Sequence, residues 1–147
     1  MLRRYSVSYH EPRVKLTVVF NVGVFDETRR YLISELKAPI GWFVGGSHDA
    51  GFAFVRLTLE TLLLTDRGKA QKDYKTLSKG VPALFASLDT GHLGTYAAPN
   101  AGKFGKAAVA FLDWQFRGKE NSKRKFVDPL SEGSFVKDNW NITMKDI

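Results

Sequence analysis

Three short apolar runs set the rhythm of this chain. Val14-Lys15-Leu16-Thr17-Val18-Val19-Phe20-Asn21 is β-branched and nearly all apolar, as a buried parallel strand requires. Ile40 to Val44 follows Pro39, and Val81 to Leu88 contains Pro82 near its start, a place where proline costs a strand little. Between and after these runs the apolar spacing changes to three and four. Phe25, Tyr31, Leu32 and Leu36 predict a helix over 25–36, which Pro39 stops. Gln71 to Leu77 also reads as helical. Phe104, Ala107, Ala108, Phe111, Leu112 and Trp114 give the segment Lys103 to Arg117 one apolar face, and Gly118 stands where a helix ends. The order strand, helix, strand, helix, strand, helix predicts an α/β fold with about three parallel strands and flanking helices. Three strands leave open edges, so self-association through an exposed sheet edge is expected. The tail, Asn121 to Ile147, is polar with Phe126, Phe135 and Trp140 as spaced anchors, and is expected to lie as an extended coil over the domain. Residues 53–70 show both strand alternation and a leucine run, and interrupt the pattern as an atypical insertion.

The length, 147 residues, suffices for a single domain, 1–147, with a real core. No apolar run reaches the ~18 residues of a membrane helix, and no apolar stretch follows the basic start Met1-Leu2-Arg3-Arg4, so neither a membrane span nor a signal peptide is expected. There is no cysteine, which removes disulfides, thiol nucleophiles and thiolate metal sites. No cofactor motif occurs: Gly102-Lys103 lacks phosphate-loop spacing and reads as the start of a helix. Lys and Arg exceed Asp and Glu by seven, 22 against 15. Apart from Arg117 to Lys125 the basic residues are dispersed, which favours a solvated surface over nucleic-acid recognition.

The candidate chemistry lies after the second and third strands. Gly45-Gly46-Ser47-His48-Asp49 puts an acid after one, and Gly91-His92-Leu93-Gly94-Thr95-Tyr96 puts a histidine after the next. In open parallel sheets, catalysis gathers at the carboxyl ends of strands. A carboxylate at one imidazole nitrogen fixes the tautomer and leaves the other nitrogen to take a proton. Taken singly, His92 fits a loop histidine bonded to backbone, and Asp49 fits a helix N-cap. Taken together, they fit an acid–base pair. A nucleophile is absent: no Gly-x-Ser-x-Gly occurs, and Ser47, Ser78 and Ser87 lack the elbow context. His48 beside Asp49 has no further metal ligands, and His10 fits a surface turn. Trp42, Trp114 and Trp140 fit core positions.

At these residues the chain resembles a known family. Gly91-His92-Leu93-Gly94-Thr95-Tyr96, the segment Pro99 to Gln115, and the stretches Pro12 to Asn21 and Pro39 to Asp49 are similar to the carboxyl-terminal region of microbial and fungal α/β hydrolases, distant relatives of dienelactone hydrolases and polyester depolymerases. The resemblance implies a partial α/β-hydrolase fold, Asp49 as triad acid and His92 as base. It implies a small-molecule ester as substrate of the full-length ancestor. It places the nucleophile elbow before Tyr9, where this chain has few residues, so a truncated gene product that is inactive alone is expected. Residues 53–70 depart from the family pattern. The competing expectation is a small basic, non-catalytic module that binds a polyanion.

Overall fold

A computed structural model describes residues 13–24, 26–46, 66–93, 95 and 98–147. Its centre is a four-stranded sheet: β1 (Thr17–Phe20), β2 (Ile40–Val44), β3 (Ala83–Ser87) and β4 (Asn141–Lys145), ordered β1-β2-β3-β4. The first three run parallel, with Thr17 opposite Ile40 and Ile40 opposite Ala83. The helices are α1 (Asp66–Thr76), α2 (Gly102–Arg117) and α3 (Glu120–Val127). The protein belongs to the α/β class, and the described residues form four strands where the sequence pattern predicts about three.

Alternation along the strands sorts side chains to the two faces. Ile40, Trp42 and Val44 of β2, with Ala83 and Phe85 of β3, form one buried cluster with Ala70, Tyr74 and Leu77 of α1 and its following turn. Phe43, Leu84 and Ala86 point the other way, onto Phe104, Ala107, Phe111 and Trp114 of α2. Gly41 permits that approach: a Cβ there would lie 2.8 Å from the Phe111 ring. Burial of the strands on both faces explains why β2 and β3 read as continuous apolar runs.

The segment predicted as a helix over 25–36 is a 3-10 helix, Glu27–Glu35, capped by the Asp26 carboxylate, which accepts from the Thr28 N–H at 3.0 Å. Arg30 is buried, and Ile33 and Leu36 pack against the α1 side of the core. These three stand three residues apart, and three residues per turn stack them on one line.

The tail departs furthest from expectation. Phe126, Phe135 and Trp140 are buried anchors, but the backbone carrying them is not an extended coil. Residues 120–127 form α3, whose Phe126 ring packs against Trp114 at 6.0 Å. Residues 141–145 form β4, antiparallel to β3 with Ser87 opposite Asn141. Ile142 and Met144 turn to the α2 side of the core. Lys145 donates to the main-chain oxygens of Tyr74 at 2.6 Å and Leu77 at 2.9 Å, tying β4 to the carboxyl end of α1. β4 therefore covers the β3 edge. Among the described residues β1 ends the sheet on the other side, with Val18, Val19 and Phe20 only half-buried. The last five residues of the expected insertion, 66–70, belong to α1, and the preceding part lies outside the described residues.

Candidate functional site

The carboxyl ends of β1, β2 and β3 bring three loops together. β1 ends in Asn21, whose N–H donates to the Phe43 carbonyl at 2.9 Å and extends the β1–β2 ladder one residue past the strand. β2 ends in Gly45 and Gly46. β3 runs into Leu88, whose N–H donates to the Val44 carbonyl at 2.9 Å. The Gly45 carbonyl then accepts from two successive N–H groups, of Thr90 and Gly91, both at 3.0 Å. At Gly46 the backbones meet: φ is +85°, and a Cβ there would lie 2.7 Å from the Asp89 Cα. The loop leading to Asp49 is thus fastened to the loop leading to His92 (one by its last described residues, the other through Gly91).

His92 is half-buried beside this junction, and Leu93 beyond it is 70% exposed. Asp49 lies outside the described residues, as do Ser47, His48, His10, Gly94 and Tyr96. The structure describes His92 beyond the carboxyl end of β3, and no distance between it and Asp49. Neither of the other two serines lies in an exposed elbow. The Ser78 hydroxyl donates to the Ser34 carbonyl at 2.7 Å, and Ser87 is buried within β3. The three tryptophans are core residues, at most 9% exposed.

Asn21 is the member of this cluster that candidate chemistry did not single out. It is 2% exposed and holds a left-handed φ of 46°, a conformation asparagine adopts more readily than most residues. Its Nδ2 donates to the main-chain oxygen of His92, across the end of β2. Its Oδ1 has no hydrogen-bond partner among the described residues, and neither has the Oγ1 of Thr95, which is 5% exposed. The available signal was a polar residue closing an apolar run ahead of a glycine.

Below the same loop sits a buried ion pair. Asp73, 1% exposed, accepts from Arg30 Nε and from the Val24 N–H, each at 2.7 Å. Arg30 Nη2 donates to the Val24 carbonyl at 2.7 Å, and Arg30 also pairs with Glu27. This network anchors the segment after Asn21 to α1. Its residues are far apart in sequence, so no motif marks them.

Three cations of the basic cluster at the end of α2 and along α3 are paired with carboxylates. Asp113 accepts from Arg117 at 2.9 Å and Lys119 at 2.8 Å, and Asp128 accepts from Arg124 at 2.9 Å. The hydrogen bond from Lys119 holds the Asp113 carboxyl below the usual range, and that from Arg124 does the same for Asp128. Lys123 lies 5.7 Å over the Trp114 ring. A cleft of 580 Å³ lined by Asn121, Arg124, Lys125 and the 130–133 turn opens on this side, and includes Glu132 beside the cations.

No protein family, curated protein or solved structure matches the chain. Among the described residues no group of three metal-ligating side chains comes together, and no helix is long and apolar enough to cross a membrane.

Proposed function

We propose that this chain is the carboxyl-terminal part of an α/β-hydrolase domain of esterase-like serine hydrolase descent, carrying Asp49 as triad acid and His92 as base without a nucleophile, and inactive toward esters by itself. The observation that carries the reading is the double hydrogen bond from Thr90 and Gly91 to the Gly45 carbonyl. It fastens together the two loops on which the acid and base stand in sequence. Asp49 stands three positions after Gly46, a span of at most ~11 Å of extended chain.

In such a pair the carboxylate holds one imidazole nitrogen protonated, and the other nitrogen removes a proton from the attacking group. Acyl transfer further requires a nucleophile and donors for the developing oxyanion, and one missing oxyanion donor costs ~3 kcal/mol of transition-state stabilisation. A small-molecule ester is the substrate class of the complete ancestral enzyme under this reading.

The test is ester hydrolysis by the purified chain on short acyl esters. Rates of wild type and His92→Ala are expected to coincide. Turnover abolished in both His92→Ala and Asp49→Ala would overturn the reading, because it would mean that an unrecognised nucleophile completes the site. The polyanion-binding alternative draws less support, since Asp113 and Asp128 already occupy Arg117, Lys119 and Arg124. Retention on a heparin column well above physiological salt would favour it instead.

A further inference from the structure

We infer that Asn21 is the positioning residue of this site, its carboxamide fixing the main chain of His92 and thereby the direction in which the imidazole is presented. The inference rests on the reading of His92 as the site's base.

Three features of Asn21 separate it from a residue that merely ends a strand. First, a strand-ending residue satisfies its backbone and leaves its side chain to solvent. Asn21 does the former through the Phe43 carbonyl, yet its side chain is buried to 2% exposure. Second, the side chain bonds to a residue 71 positions away. β1 and β3 are not neighbours, since β2 lies between them. The contact therefore bridges two loops that the sheet hydrogen bonds do not join directly. Third, the acceptor is the main-chain oxygen of His92 itself, so the bond acts on the backbone from which the imidazole projects.

The residue type follows from the same geometry. The left-handed φ of 46° excludes β-branched residues and strains most others. Glycine adopts that conformation but has no donor. Aspartate has the shape, but would place a carboxylate oxygen against a carbonyl oxygen. Asparagine combines the backbone conformation with an N–H donor. Its Oδ1, without a partner among the described residues, is not what the burial serves. The engaged end of the carboxamide is the end that holds His92.

The test uses the full chain with two variants. Asn21→Gly keeps the backbone conformation and removes the donor, and Asn21→Asp keeps the shape and replaces the donor with oxygen. Backbone amide exchange is followed at Gly91, His92 and Leu93. Imidazole reactivity is followed by carbethoxylation with diethyl pyrocarbonate, resolved by peptide mass spectrometry so that His10 and His48 act as internal controls. Thermal unfolding is recorded in parallel. Both variants are expected to speed exchange at Gly91, whose N–H donates to the Gly45 carbonyl beside His92, about five-fold, the factor one net hydrogen bond is worth. Both are expected to raise the His92 carbethoxylation rate by a similar factor while His10 stays at the wild-type rate. A lowered melting temperature with Gly91 exchange and His92 reactivity at wild-type values would overturn the inference, leaving Asn21 a stabilising residue only. Wild-type values throughout would overturn it as well. The hydrolase reading is tested separately, by ester turnover in His92→Ala and Asp49→Ala, so either conclusion can fail alone.

Discussion

Removal of the Asp73 carboxylate is expected to be among the most damaging single changes away from the apolar core. Asp73→Ala leaves the Arg30 guanidinium, with 9% of its side chain exposed, without its buried counter-ion, and leaves the Val24 N–H without its acceptor. Breaking a buried ion pair from one side costs about 3–5 kcal/mol, against a total stability of roughly 5–15 kcal/mol for a domain. At ~2–4 °C per kcal/mol for a chain of this size, the melting temperature should fall by roughly 10 °C. The double variant Arg30→Met/Asp73→Leu removes both charges together. What remains is the cost of the orphaned Val24 N–H and carbonyl, about 1–3 kcal/mol, so the double variant should be more stable than Asp73→Ala. Urea unfolding followed by tryptophan fluorescence measures both. Trp42 packs edge-on against Tyr74 at 6.0 Å, one residue from Asp73, and reports the same region. A loss under about 1 kcal/mol for Asp73→Ala, or a double variant less stable than that single one, would refute the reasoning, since either would mean that Glu27 or solvent satisfies Arg30 without penalty.

Gly46→Ala should destabilise by roughly 2–5 kcal/mol, since a left-handed φ costs an alanine about 1–2 and overpacking against the Asp89 backbone adds about 1–3. Amide exchange at Thr90 and Gly91 should accelerate with it, and unchanged exchange there would show that the two loops are not held by this contact. Asp113 and Asp128 have folded pKa values below 3.8, so the unfolded chain takes up protons first as pH falls. Their stabilisation is full above 3.8 and is lost as pH drops through the folded values, so Asp113→Asn/Asp128→Asn should flatten the acid limb of a stability–pH curve, and a limb of unchanged slope contradicts this. The half-buried β1 edge should drive association that rises with concentration in light scattering, and a clean monomer at high concentration would count against an open edge.

Much of the architecture was legible in the sequence because local periodicity and burial agree there. Ile40–Val44 and Ala83–Ser87 are strands buried on both faces, and such strands read as unbroken apolar runs. Gly102–Arg117 has one apolar stripe and a glycine, Gly118, at φ 61° to end it. His92 was legible as a glycine-flanked residue after a strand. The tail was not, because its elements depend on partners elsewhere. Asn141–Lys145 is a strand through its pairing with β3 and the packing of Ile142 and Met144 on α2's side of the core. Polar α3 is held by Phe126 against Trp114. The 3-10 form of Glu27–Glu35 follows from the line Arg30, Ile33 and Leu36 must bury, which only the neighbouring α1 defines. The same reason hid the Arg30–Asp73 pair and the reach of Asn21 to His92, contacts spanning 43 and 71 positions. The sequence by itself determined which segments must be covered and that a histidine stands in a glycine-flanked loop after the third apolar run. Only tertiary structure decided what covers them and that the Asn21 carboxamide reaches the main chain of His92, because a contact between distant residues exists only once the sheet has set their separation in space.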